Sequence, residues 1–214
     1  MNSQPHPYSH LTLRQNSRQE IANAVTHGVG TLLSVAALVL LVIEAARMGS
    51  PLGVVCAAVF GSSMVLLYVF STLMHSLPDG RARAVFERLD LSGIFLLIAG
   101  TYTPFTLLAL RGPLGWSLFG AVWGLAGLGM TLACLRQAYF ERVASYLYLA
   151  LGWLIVVAIY PLARNLGFAG FCLLAGGGLS YSIGVLFFLW RGFLYHHAVW
   201  HGFVILGSVL HFLA

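Results

Sequence analysis

Apolar runs long enough to cross a bilayer follow one another almost without pause along this chain. A helix needs about 20 mainly apolar residues to span the hydrocarbon layer. Such runs cover 24–43, 52–74, 91–110, 114–135, 143–162, 166–190 and 197–214. Glu44 and Arg47 close the first, Pro51 precedes the second, and the polar stretch 75–88 precedes the third. Arg111-Gly112-Pro113, Arg136, Arg164-Asn165 and Arg191 mark later boundaries. Asp, Glu and Arg are nearly absent from the run interiors, where each costs at least ~2.5 kcal/mol at mid-bilayer. The pattern predicts an all-α membrane protein, a bundle of seven transmembrane helices. Residues 1–22 read as a polar N-terminal tail and 23–214 as the transmembrane domain.

Composition agrees. Of 214 residues, 59% are hydrophobic and only 8% charged, against roughly 25% charged in soluble domains. Loops are too short to hold an extramembrane domain. All 11 basic residues are arginines, and they sit singly between apolar runs. The net charge of +5 therefore reads as membrane topology and not as a nucleic-acid surface. Arg14, Arg18, Arg81, Arg83, Arg88, Arg136, Arg142 and Arg191 fall on one side, eight in all, against Arg47, Arg111 and Arg164, three, on the other. Arginine excess marks the cytoplasmic face, so the N-terminus is expected inside and the C-terminus outside. The first 22 residues carry no apolar core, so no cleavable signal peptide is expected and the first helix serves as its own insertion signal. Cys56, Cys134 and Cys172 read as small apolar residues, since no CxxC pair exists.

Glycine supplies the remaining patterning. Gly120 and Gly124 have small-xxx-small spacing, which predicts close helix contact. The run Gly176-Gly177-Gly178 either loosens the sixth helix or forms a packing face. There is no internal repeat, and an odd span count argues against a duplicated transporter.

The candidate chemistry lies at helix ends. His197 and His201 share one helix face at i,i+4 spacing. They form either a metal-binding pair or two polar residues at a membrane interface. Span counting then brings His75, at the end of helix two, and Asp90, at the start of helix three, to the same cytoplasmic depth as helix seven's histidines. Three histidines with an open fourth position are the arrangement of a catalytic zinc. Ser71 lies one turn before His75, where it either orients a ligand or bonds back to its own helix. Asp90 reads as the acid or base acting on a water at the metal, as a helix N-cap, or as both. Glu20, Asn23 and His27 either close the site or cap helix one. His211 lies about 15 Å beyond His201 along the helix, too far to share a metal, and an interhelical hydrogen bond is expected of it. His6 and His10 in the tail receive no role. His197-Ala198-Val199-Trp200-His201 lacks the glutamate of H-E-x-x-H. Without lysine, a retinal Schiff base is excluded.

These residues resemble the hemolysin III proteins, the bacterial branch of the progestin and adiponectin receptor family. The resemblance rests on Glu20-Ile21-Ala22-Asn23-Ala24-Val25-Thr26-His27-Gly28, on Ser71-Thr72-Leu73-Met74-His75-Ser76, and on Leu89-Asp90 through Ala99-Gly100-Thr101-Tyr102-Thr103-Pro104-Phe105. It also rests on His197 to His201 and on Gly207-Ser208-Val209-Leu210-His211-Phe212. It implies a seven-helix fold, zinc on His75, His197 and His201, and Asp90 and Ser71 as catalytic partners. Eukaryotic relatives are similar to ceramidases, while bacterial ones take their name from haemolysis and are linked to membrane-lipid or membrane-energy homeostasis. The expected activity is zinc-dependent hydrolysis of membrane-lipid amides in the bacterial inner membrane. The alternatives are a non-catalytic sensor with a structural zinc, and a cytolytic or transport protein. The short tail argues against hormone sensing.

Overall fold

The structure, a computed structural model, describes residues 13–135, 140, 143–190 and 192–214. Among these the regular elements are all helical. Arg136, Arg142 and Arg191, counted above for orientation, and His6 and His10 lie outside the described residues.

Helix α1 (Leu13–Arg47) begins well before the apolar run that predicts it. Leu13, Gln15, Arg18, Gln19 and Glu20 are good helix formers, so the helix extends through the polar stretch that hydropathy assigns to a tail. Its burial pattern is inverted. Gln19, Asn23, His27 and Ser34 face the bundle, while Ile21, Val25, Leu32, Val39 and Leu40 are exposed. Spacings of three and four keep the polar residues on one stripe. Lipid solvates the apolar side, and the bundle must satisfy the polar one.

Helix α2 (Pro51–Ser76) opens with Ser50 accepting a hydrogen bond from the Gly53 N–H at 3.0 Å, followed by Pro51 in the first turn. That is the side-chain cap and fixed φ that a helix start requires. Helix α3 (Arg81–Pro104) passes into a π-helical turn, Phe105–Leu110, at Pro104. Proline leaves a carbonyl without its donor, and a wider turn absorbs the mismatch. Helix α4 spans Gly112–Leu135.

The next stretch, Ala144–Leu189, is 46 residues long. At 1.5 Å per residue it would extend ~69 Å, more than twice the ~30 Å hydrocarbon thickness. It is not one rod. Helix α5 (Ala144–Gly152) tightens into a 3₁₀ segment, Trp153–Ala158, before α6 (Ile159–Leu189). Within α6 the backbone breaks at Gly167, with φ 68° and ψ 174°, a conformation that glycine adopts without a Cβ clash. Helix α7 spans His196–Leu213. Among the described residues five helical stretches are long and apolar enough to cross a membrane, counting Ala144–Leu189 as one.

The 3₁₀ segment frees backbone groups where water cannot reach them. The Tyr102 hydroxyl takes them up. It donates toward the carbonyls of Leu151 and Gly152 at 3.0 and 2.8 Å and accepts the Ile155 N–H at 2.6 Å. Around it Phe95, Ala99, Phe105, Leu118, Val122 and Leu151 form the larger core, and a second core joins Phe60, Met64, Leu67, Tyr68, Leu97 and Val204. Helix α2 packs between α1 and α3, and α7 packs against both α6 and α1. First and last helices therefore meet.

Close helix approach depends on glycines other than the expected pair. Gly120 and Gly124 face open space. The packed stripe of α4 is Gly115, Leu118, Val122, Ala126, Gly129 and Ala133, one face over. Gly61 is one tight position, where an added Cβ would lie 2.8 Å from the Leu38 Cα on α1. The triple glycine does not loosen α6. Gly177 seats the His211 ring, and the break falls at Gly167 instead. We expect Gly61→Ala to destabilise the protein by about 1–3 kcal/mol through overpacking. Gly120→Ala should be neutral or slightly stabilising. Thermal unfolding of both variants in one detergent checks the contrast.

Candidate metal centre

Histidines from the C-terminal end of α2 and the N-terminal end of α7 converge. His75 sits one residue before the end of α2, and His197 and His201 occupy successive turns of α7. One ligand atom from each lies within 4.8 Å of the other two. Ring centroids are 5.0 Å apart for His75–His197, 5.2 Å for His75–His201 and 4.6 Å for His197–His201. Tetrahedral zinc with nitrogens at ~2.1 Å requires nitrogen pairs ~3.4 Å apart.

Hydrogen bonding decides which nitrogen each ring offers. His75 Nδ1 lies 2.8 Å from Glu20 Oε2. A carboxylate only accepts, so the proton is on Nδ1 and the lone pair on Nε2. His201 Nδ1 lies 3.3 Å from the backbone carbonyl of Asn23, which fixes the same tautomer. Nε2 of both rings is buried with no hydrogen-bond partner. Two buried lone pairs beside a third imidazole, each backed by an acceptor on the opposite nitrogen, match how proteins present histidine to a metal. The residues fit zinc.

Glu20 is itself held. Its Oε1 pairs with Arg83 Nη2 at 3.1 Å, and Arg83 Nη1 donates to the Leu77 carbonyl at the end of α2 at 3.1 Å. Arg83 stands in the first turn of α3, so one guanidinium ties α1, α2 and α3 together behind His75. The Asn23 side-chain nitrogen lies 3.4 Å from the same Nδ1, a close contact and not a second hydrogen bond once Nδ1 carries the proton. Neither Glu20 nor Asn23 caps α1, which starts at Leu13. They close the histidine cluster, one of the two roles open to them on sequence.

Asp90 and Ser71 stand beside the histidines. Asp90 is buried and close enough to His75 for their charges to interact. It lies well inside α3, whose first residue is Arg81, so the N-cap role falls away. Ser71 is fully buried and neighbours Asp90, its hydroxyl stopping short of a hydrogen bond. It does not bond back to its own helix, as Thr72 and Ser76 nearby do. His211 makes the expected interhelical bond, donating from Nε2 to the Leu174 carbonyl at 3.1 Å.

Below the cluster runs a cavity of about 160 Å³. Asp90 and His27 line one end, and Phe105, Leu162 and His211 line other parts. Its wall is otherwise largely apolar, with Ile94, Leu97, Ile98 and Val204 prominent. From Asp90 to Phe105 the α3 backbone rises ~22 Å. The cavity carries Asp90 and His27 near the histidine cluster and His211 further along.

Comparison with known proteins identifies the family. Residues 15–212 match the family described as Haemolysin-III related. The chain belongs to the hemolysin III family, the bacterial branch of the progestin and adiponectin receptor family. It is 48% identical over 200 residues to Hemolysin-3 of Bacillus cereus, covering 94% of this chain and 91% of that protein. It is 46% identical over 195 residues to the Hemolysin-3 homolog of Bacillus subtilis (strain 168), covering 91% and 92%. A more distant match is the human Monocyte to macrophage differentiation factor, 29% identical over 166 residues, covering 75% of this chain and 68% of that one. As a hemolysin III protein the chain is a multi-pass integral membrane protein.

The role of Arg83 has no signature in the sequence, where it is one of eight arginines read as marking the cytoplasmic side. Glu20 carried only a hint, its fixed spacing to Asn23 and His27. Removing the Glu20 charge should weaken metal retention without abolishing it. We expect Glu20→Gln to lower apparent zinc affinity by about 10–100-fold, measured by competition with a chromogenic chelator on purified protein.

Proposed function

We propose that this hemolysin III protein is a zinc-dependent hydrolase of membrane-lipid amides. It would act in the bacterial inner membrane as a seven-helix bundle with a cytoplasmic N-terminus. The observation that carries the reading is the placement of Asp90. This one carboxyl adjoins the histidine cluster and also lines the end of a long apolar cavity. A lipid acyl chain suits such a cavity, and the head of the chain then lies at Asp90. The seven-helix count treats the Gly167 break as the turn between two crossings, which divides 46 residues into two membrane-length parts.

In this reading His75, His197 and His201 hold the metal through ring nitrogens, with Glu20 and the Asn23 carbonyl keeping two of those rings oriented. Zinc, when bound, polarises a carbonyl and makes water nucleophilic at neutral pH. An Asp90 carboxylate oxygen takes the proton from the attacking water as its oxygen bonds to the acyl carbon. As the carbon–nitrogen bond breaks, Asp90 delivers that proton to the departing amine. Ser71, buried beside Asp90 on α2, keeps its hydroxyl unpaired and available to the carboxyl or to the attacking water. The apolar walls exclude bulk water from the chain and confine hydrolysis to the cavity end.

A second reading has its own support. None of the three clustered histidines lines the cavity. In that reading the zinc clamps α2 to α7 in a non-catalytic sensor, and the cavity ligand is a signal. Asp90 discriminates between the two. Asp90→Asn should retain zinc and lose at least 100-fold in hydrolysis of ceramides and N-acyl amines. Wild-type protein fully loaded with zinc and inert across those lipids would sink the hydrolase and leave the clamp. A His197→Ala/His201→Ala double variant should lose the metal, read by elemental analysis. Zinc content equal to wild type would overturn the ligand assignment in both readings.

A further inference from the structure

His27 is a buried imidazole that neither the cluster nor the fold accounts for. It projects from the inward stripe of α1, is 2% exposed, and leaves both ring nitrogens without a hydrogen-bond partner. Its ring stacks on His201, centroids 3.4 Å apart and planes within 13°, and meets the edge of Tyr68 at 5.1 Å. A phenyl ring would fill the same space, make both ring contacts and strand no polar atom. Buried polar atoms left unpaired in a low-dielectric interior are costly, so the imidazole calls for a partner that comes from outside the chain.

The cavity shows where that partner arrives. His27 and Asp90 both line it, each close enough to His75 to interact with it, and Leu67 and Leu97 belong to the same lining. An imidazole and a carboxyl at the end of an apolar cavity offer one N–H donor and two kinds of acceptor to whatever the cavity holds. A long acyl chain needs nothing polar along its length. Its carbonyl oxygen needs a donor, and Asp90 as a carboxylate supplies none. The neutral His27 ring supplies one N–H, which the structure leaves unused.

We propose that His27 donates a hydrogen bond to the carbonyl oxygen of the acyl group in the cavity, holding it against the histidine cluster. This rests on the lipid-amide reading above for its ligand class, but it does not require turnover. A donor fixed toward that oxygen serves binding of an acyl amide in either reading. In the hydrolase it also faces the oxygen on which charge grows as water adds to the carbon.

The test uses full-length protein in nanodiscs with two probes of equal chain length. N-palmitoylethanolamine carries the carbonyl; 2-hexadecyloxyethanol, an ether, lacks it. Wild type should bind the amide roughly tenfold more tightly than the ether. His27→Phe, which keeps the ring stack, should lose that preference while retaining zinc and binding the ether as wild type does. His27→Gln, which restores a donor, should recover most of the preference. A His27→Phe variant that still prefers the amide overturns the proposal. So does one that sheds its zinc along with the preference, because His27 would then be only a support for His201. Equal binding of both probes by wild type overturns it too. Wild type that binds the amide with the expected preference but never cleaves it supports His27 and sinks only the hydrolase.

Discussion

Hydrocarbon offers no hydrogen bonds, so a polar atom in a membrane protein must find its partner inside the protein or go without. That constraint governs this chain more than any attraction between helices. Lipid solvates the apolar side of α1 as well as another helix would. What holds α1 to the bundle is its other face, where Gln19, Asn23 and His27 are buried. Glu20 and Asn23 meet His75 on α2, and the Asn23 carbonyl meets His201 on α7. The polar stripe is thus both an adhesive surface and one wall of the histidine cluster.

The same constraint explains the irregular helices. Proline at 104 and the 3₁₀ segment at Trp153–Ala158 each release backbone groups at membrane depth. A π-turn absorbs the first and a single tyrosine hydroxyl the second. Trp153, at the start of the 3₁₀ segment, also ties to α6 through Ser182 at 2.9 Å. These departures sit beside the cavity, which regular, tightly packed helices would fill. Irregular backbone here goes with space.

Much of this is legible from residue order alone, and the limits have physical causes. His75, Asp90, His197 and His201 come together from counting spans, because each crossing reverses direction and returns chosen ends to one face. Helix ends are less readable. Hydropathy reports where lipid begins, whereas Leu13–Arg47 and Arg81–Pro104 begin where good helix formers do. Glycine spacing misleads for a related reason. Gly120 and Gly124 have the pattern of a contact face, but which side of α4 meets a neighbour depends on all the other helices. The Arg83–Glu20–His75 chain links residues far apart in sequence, and nothing local announces such a pairing.

The meeting of α1 and α7 carries a consequence for biogenesis. Synthesis delivers helices to the membrane from the N-terminus onward, so α1 to α3 arrive with Glu20, Asn23, His27 and His75 in place and no His197 or His201 to complete them. His201 comes from α7, made after all of these, and its ring is what His27 stacks on. Until α7 emerges, the nascent protein carries a polar seam that only α7 can close. A chain truncated before α7 would therefore be recognisable to membrane quality control by that open seam, without any test of activity.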